Sequence, residues 1–270
     1  MRRLQDRVAV VTGAASGIGR ATSIELAREG CHLALADIDE KGLDETRREV
    51  ESLGRRASTH IVDVASRSRV AELVDEVVDV HQRVNIVINN AGVGVGEDIE
   101  NHNLDNFEWL FGINFWGVVY GSKFFLPVLK REDEAHIVNI SSMFGFIGLP
   151  RQAAYCASKF AVRGFTESLA AELTGTSVGV TCVHPGGINT NIARSARVDN
   201  ESLKQKAVDF FSAKTLPASH CAKKIVHGIK HNEARVLVAP EAYLTDVMKR
   251  AFPVLTNGIA VSIFKRLKLG

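Results

Sequence analysis

The chain has 270 residues and a mass of 29.4 kDa, which suits one large α/β domain with a substantial core. Thirty-three Lys and Arg stand against 31 Asp and Glu, so the net charge of +2 offers no concentrated basic face to nucleic acid. Hydrophobic residues make up 46% of the chain, yet no uncharged apolar run of about 18 residues occurs, so no membrane span is expected. Cys31, Cys156, Cys182 and Cys221 lie far apart without a C-x-x-C pair, which suits neither a metal site nor a disulfide framework. Reduced thiols and the lack of an apolar run after Met1-Arg2-Arg3 point to the cytoplasm.

Short apolar runs alternate with longer amphipathic stretches. Val8–Thr12 has the pattern of a buried strand, and a helix runs from Gly17 to Glu29 before Gly30 closes it. Leu33–Ala36 is a second strand, followed by a charged helix over Glu40–Leu53. Ala57–Val62 is a third strand, and Ser66 caps a helix reaching Gln82. Asn85–Ile88 is strand four, and Leu104–Lys130 reads as one long helix ended by the acidic turn Glu132–Glu134. His136–Ile140, Val178–Val183 and Val236–Ala239 complete the strands, with a helix over Arg151–Leu173. Strand–helix alternation repeated in this way predicts a doubly wound, seven-stranded, mostly parallel sheet with helices on both faces, in a single domain. Residues 187–215 are expected to form a substrate-binding loop and helix, and 240–270 a C-terminal extension.

Between the first strand and first helix lies Thr12-Gly13-Ala14-Ala15-Ser16-Gly17-Ile18-Gly19. Glycines there let the backbone turn tightly and approach a pyrophosphate, whose charge meets the amides of a helix N-terminus. The spacing is G-x-x-x-G-x-G rather than G-x-G-x-x-G, so the flanking strand and helix carry the assignment. Asp37 ends strand two, 20 residues beyond Gly17. A carboxylate at that offset accepts from the adenosine ribose hydroxyls and repels a 2′-phosphate. With no Arg or Lys at position 15 or at Ile38, NAD is favoured over NADP. Ile38, Asp63 and Val64 are counted among the adenosine contacts. Asn90, Ala91 and Gly92 end strand four beside the cofactor, while Asn89 is expected to satisfy backbone groups between strands.

These residues resemble the short-chain dehydrogenase/reductase family in its single-domain branch. The resemblance rests on Thr12-Gly13-x-x-x-Gly17-x-Gly19, Asn89-Asn90-Ala91-Gly92, Asn114, Ser142, Tyr155-x-x-x-Lys159 and Pro185-Gly186-x-x-x-Thr190, in the family's order. It covers roughly residues 6–192 and includes Ser142 thirteen positions before Tyr155.

Tyr155 and Lys159 are four residues apart on a predicted helix and so share a face. A nearby ammonium favours the phenolate, which is expected to bring the Tyr155 pKa down from about 10 towards working pH. Ser142 follows strand five, where its hydroxyl can donate to a substrate oxygen as charge develops. The resemblance implies that Lys159 also binds the nicotinamide ribose, and that Asn114 sits at a helix distortion holding a proton-relay water. Pro185 and Gly186 end the sixth strand as a loop over the nicotinamide, and the resemblance further implies that the backbone near Ile188, helped by the Thr190 hydroxyl, orients the carboxamide. The neighbouring His184 is read as structural.

The expected reaction is hydride transfer between NAD(H) and a small-molecule alcohol/carbonyl pair, lipophilic or medium-sized. The competing reading is a nucleotide-binding sensor or scaffold without turnover. Phe144, Phe146, Leu149, Val93, Val95 and the segment from Ile188 to Phe211 are the expected pocket walls, with Arg194 and Arg197 as the nearest cations and Gly94 and Gly96 in a mobile loop. The stretch Ile259–Leu269 is a basic amphipathic helix that could lie on a membrane surface. Packing on its own domain or on a partner subunit is favoured. By resemblance, helices over 104–130 and 151–173 pair subunits into a homodimer or homotetramer.

Overall fold

The computed structural model describes residues 1 and 3–266, without the side chains at 207 and 210–214. Expectations placed on Phe211, Leu267, Lys268 and Leu269 lie outside the described residues and side chains.

Seven parallel strands form the central sheet: β1 (Val8–Thr12), β2 (His32–Asp37), β3 (Ala57–Ile61), β4 (Ile86–Asn89), β5 (Ala135–Ile140), β6 (Val178–Pro185) and β7 (Arg235–Val238). Their order is β7-β6-β5-β4-β1-β2-β3, with Val10 of β1 between Ala34 and Val87. The chain reverses direction across the sheet between β1 and β4, so a crevice opens at the carboxyl ends of those strands.

Alternate strand residues feed two cores. Val11, Leu33 and Ile88 pack with Leu26 of α1 (Gly17–Arg28), Leu43 of α2 (Glu40–Ser52) and Ile225 of a later helix on one face. Val10, Ala34 and Val87 pack with Leu73 of α3 (Arg67–His81) and residues of the central helices on the other. Each fully buried Val, Leu or Ile contributes roughly 1.5–3 kcal/mol, so both faces are strongly committed. Ser66 caps α3 as expected, its side chain accepting from the Arg69 amide.

The helix expected over 104–130 is broken. α4 (Leu104–Phe111) leads into a π-helical turn, Gly112–Trp116, and then α5 (Gly117–Leu129). The turn inserts an i→i+5 bond, Gly117 N–H donating to the Gly112 carbonyl, where Gly117 packs directly on Val64. α6 (Ala153–Glu172) starts two residues later than expected because Arg151 adopts a φ of +62°. β6 extends two residues further, to Pro185.

Beyond β6 come α7 (Glu201–Lys214), α8 (Ala218–His231), α9 (Pro240–Ala251) and α10 (Pro253–Arg266). α8 and α9 were not anticipated. α8 belongs to the main core, burying Cys221, Ile225 and Ile229 against α1 and the sheet. α10 packs on α9 and leaves Leu255, Ile259 and Ile263 exposed. Among the described residues no helix is long and apolar enough to cross a membrane.

Candidate active site

The glycine-rich loop joins β1 to α1 at the crevice. Gly17 has a φ of +54°, which L side chains rarely adopt, and a Cβ on Gly19 would stand 2.0 Å from the Gly13 carbonyl oxygen. Gly13 and Gly19 therefore let α1 seat tightly against the strand end. Asn90 locks the same corner, donating from Nδ2 to the carbonyls of Thr12 (2.9 Å) and Gly13 (3.2 Å). Thr12 Oγ1 in turn accepts from the amides of Asn90 and Ala91.

α1 opens with its N-terminus available to an anion. Ser16 makes no side-chain cap hydrogen bond, the first turn holds no acidic residue, and Ser16, Gly17 and Ile18 line the crevice. This arrangement fits the pyrophosphate of a dinucleotide. Asp37, at the end of β2, is tied into the loop: Oδ2 accepts from the Ala15 amide (3.0 Å), and Oδ1 from the amides of Ile38 (2.7 Å) and Asp39 (3.1 Å). Arg20 and Lys41 line a shallow recess beside Asp39, but Arg20 is spent on the Ala15 carbonyl and Glu45.

A cavity of about 320 Å³ lies at the carboxyl ends of β1, β4, β5 and β6. It brings together Ser16, Gly17, Ile18, Asn90, Gly92, Ser142, Tyr155, Lys159, Pro185, Gly186, Ile188 and Thr190 of the expected site. Gly13, Gly19, Ala91 and Asn114 stand behind its wall, and Asp37, Ile38, Asp63 and Val64 lie beyond it. Asp63 accepts locally from the Ala65 amide at 2.9 Å, and Val64 is buried.

Tyr155 falls in the first turn of α6 and Lys159 one turn later. Lys159 Nζ lies 5.7 Å from the centre of the Tyr155 ring and donates to the Ile140 carbonyl at 2.9 Å. The Ser142 hydroxyl stands beside the Tyr155 phenol and pulls its pKa down. The expected fall in the tyrosine pKa is corrected here. Burial pushes the phenol up to about 12, against the pull of Ser142, and pushes Lys159 down to about 8. Removing water disfavours the charged form of both groups, and burial is the largest cause of each shift.

Asn114 sits in the π-helical turn, fully buried. Its Oδ1 accepts from the Val93 amide (2.8 Å) and its Nδ2 donates to the Val93 carbonyl (3.0 Å) and Ser158 Oγ (3.3 Å). A Cβ on Gly92 would stand 3.3 Å from Asn114 Oδ1 and 3.6 Å from Lys159 Nζ, so a side chain there would crowd both. Asn89 differs from expectation: its Nδ2 donates to side chains, Asn139 Oδ1 (2.8 Å) and Ser122 Oγ (3.1 Å), rather than to backbone groups.

Of the expected walls, Phe144, Val95 and Ile188 line the cavity, whereas Phe146, Leu149 and Val93 do not. Arg194 and Arg197 are also outside it. Arg197 stacks on Trp109 and donates to Asn106 Oδ1 at 2.9 Å. The lining cations besides Lys159 are Arg151 and Lys204. Phe264 of α10 also reaches the cavity. Nothing local in the sequence marked Arg151, whose place depends on a positive φ just before α6. Gly94 and Gly96 flank or join a short parallel pair, Val95–Gly96 with Arg197–Val198, that ties the loop down.

A family model described as short chain dehydrogenase matches residues 7–201. SadH of Mycobacterium tuberculosis strain H37Rv is 43% identical over 254 residues, 93% of this chain and 92% of that protein. A short-chain dehydrogenase/reductase from Burkholderia phymatum, solved in complex with NAD, superposes with a TM-score of 0.88 at 30% identity, covering 95% of this chain and 97% of that one. An alcohol dehydrogenase from the archaeon Thermococcus sibiricus, complexed with 5-hydroxy-NADP, gives a TM-score of 0.75 at 25% identity, covering 87% and 95%.

Proposed function

The chain belongs to the short-chain dehydrogenase family, and from that premise we propose that it moves a hydride between NAD(H) and a lipophilic or medium-sized secondary alcohol or ketone. The observation that carries the reading is the convergence of Tyr155, Ser142 and Lys159 on one cavity beside an open helix N-terminus. A sensor without turnover would have no use for that convergence.

When bound, the nicotinamide supplies the hydride acceptor or donor. Ser16, Gly17 and Ile18 would hold the pyrophosphate, Asp37 the adenosine ribose, and Gly186, Ile188 and Thr190 the carboxamide end. Ile38, Asp63, Val64, Asn90, Ala91 and Gly92 remain part of this proposed cofactor surface. NAD over NADP is supported by the Asp37 carboxylate, which a 2′-phosphate would face, and by the engagement of Arg20 with Glu45. The Burkholderia structure in complex with NAD points the same way.

Ser142 would hold the substrate oxygen by a hydrogen bond that strengthens as negative charge grows on it. In carbonyl reduction the Tyr155 phenol gives its proton to that oxygen. In alcohol oxidation the ionised phenol takes the proton away, so oxidation gains with rising pH and reduction loses. Lys159 uses one ammonium proton on Ile140 and keeps others for the ribose and the phenolate. Asn114, through Val93, holds the wall behind Lys159.

Val95, Phe144, Ile192, Val198 and Leu203 support an apolar substrate, and residues 187–215 are read as its binding segment. A homodimer or homotetramer is part of the reading, supported by the exposed Trp116 beside α5 and Phe160 on α6. Residence in the cytoplasm is supported by four free, buried cysteines.

The test is a panel of alcohols and ketones with NAD(H) and NADP(H), followed by nicotinamide absorbance. Turnover of secondary alcohols with NAD is expected. Binding of NADH with no oxidoreduction across the panel would favour the sensor.

A further inference from the structure

His184 is fully buried and does not line the cavity, yet its ring touches the residue that would hold the substrate oxygen. Its Nδ1 lies 3.1 Å from the Ser142 carbonyl oxygen. That carbonyl can only accept, so the contact is a hydrogen bond only if Nδ1 carries the proton. The same oxygen also accepts from the Gly145 amide at 2.9 Å, which uses both of its lone pairs. The other ring nitrogen, Nε2, has no partner among the described residues.

The position matters because the sheet gives out here. The Ser141 amide donates to the Val183 carbonyl at 2.8 Å, joining β5 to β6 for the last time before the strands part. Ser142 then leads into a 3-10 turn, Met143–Gly145, while Pro185 has no N–H and Gly186 turns to pair with β7 through the Val238 carbonyl. The imidazole spans that parting.

The ring is itself held. Phe146 lies against it with 4.3 Å between centroids, and the guanidinium carbons of Arg163 on α6 and Arg235 on β7 stand 5.3 and 4.8 Å from the Phe146 ring. Arg235 is paired with Asp246 of α9, which also takes Arg250. Burial, with the positive charge of Arg235 and Arg163 adding to it, pushes the His184 pKa down to about 3, so the ring stays neutral near pH 7. Phe146, expected in the pocket wall, is instead the packing partner of this histidine.

We propose that His184 is a positioning residue: its Nδ1–H tethers the Ser142 backbone to the start of the nicotinamide-side loop and so fixes where the Ser142 hydroxyl meets Tyr155 and the substrate oxygen. The proposal rests on the oxidoreductase reading of Ser142 and Tyr155. A histidine that merely filled space would be replaced by leucine at no cost to chemistry.

Two variants and one spectroscopic measurement test it on the full-length protein. His184→Leu keeps an apolar body and removes the donor; His184→Asn keeps an N–H close to the Nδ1 position. His184→Leu should lower kcat roughly tenfold or more, part of the hundredfold to thousandfold that losing an oxyanion donor costs, with NADH affinity within about twofold of wild type. Its alkaline pH limb should move upward, because a displaced Ser142 no longer lowers the Tyr155 pKa. His184→Asn should restore both. Nitrogen-15 NMR of the ring should show a neutral, Nδ1-protonated tautomer from about pH 5 to about pH 9. A proton on Nε2 would overturn the proposal, as would a leucine variant with unchanged kcat and pH profile. So would one in which rate and NADH affinity fall together and asparagine rescues neither. If the wild type turns over no alcohol or ketone, the oxidoreductase reading fails, while the tautomer still decides whether His184 grips Ser142.

Discussion

Arg197 lays its guanidinium on the Trp109 ring, 3.6 Å from the ring centre, and so faces away from the cavity it was expected to serve. The stacking belongs to a fastening. Arg151 bridges Asp98, in the loop after β4, and Asp199, just before α7, and Val95–Gly96 pair with Arg197–Val198. The start of the proposed substrate segment is thereby strapped to the loop beyond β4, with Val95 and Val198 on its inner side. Cation–π contacts of this kind are worth roughly 0.5–2 kcal/mol, enough to bias a loop without locking it.

Arg151→Met should therefore loosen substrate binding while leaving the proton chemistry intact. Losing its bridge, roughly 1 kcal/mol, predicts a rise in substrate KM of about fivefold with kcat within about twofold. Steady-state kinetics decide it. A fall in kcat at constant KM would place Arg151 in the chemistry instead.

Asp37 has two tasks, holding the loop amides of Ala15, Ile38 and Asp39 and, in the proposed reading, receiving the ribose. Asp37→Ser should weaken NADH about tenfold or more and narrow the gap to NADPH, since a hydrogen-bonded charge is worth about 1.5–3 kcal/mol. Dissociation constants from nicotinamide fluorescence give the answer. Equal NADH affinity in variant and wild type would remove Asp37 from cofactor selection.

Three buried histidines set the acid stability. Burial lowers His81 to about 4, and His136 and His184 to about 3, while an unfolded chain takes up these protons near the ordinary value of 6.5. The unfolded state thus binds more protons below about pH 6.5, and stability falls as pH drops from there towards 3–4, by about 1 kcal/mol per pH unit for each ring. Above about pH 6.5 this contribution is constant. Urea unfolding midpoints should fall between about pH 7 and about pH 5, and fall less in His136→Gln. A midpoint independent of pH over that range would contradict the burial of these rings.

The sheet was legible because buried parallel strands leave apolar runs such as Val8–Val11 and Ile86–Ile88, set between amphipathic helices. The glycine loop and the Tyr155–Lys159 spacing were legible for the same local reason. α8 carries a readable signal, apolar residues at 221, 225 and 229 on one face, set among polar neighbours that dilute it. The π-helical turn was not readable from residue pattern alone, because it lies where Gly117 meets Val64, more than 50 positions away in sequence. Nor was the direction of the Tyr155 pKa, since helical spacing reports who faces whom and burial reports how much water is left. The strap of Arg151 and Arg197 was equally hidden, depending on partners 48 to 91 positions away.

Replacing Tyr155 by Phe removes one oxygen from the cavity and leaves the glycine-rich loop, Asp37 and Lys159, the proposed pyrophosphate and ribose partners, in place. NADH affinity of Tyr155→Phe should stay within about threefold of wild type, while kcat for alcohol oxidation and ketone reduction should fall by about a thousandfold or more. Retention of more than about a tenth of wild-type kcat, with NADH still bound, would contradict the assignment of the proton to this phenol.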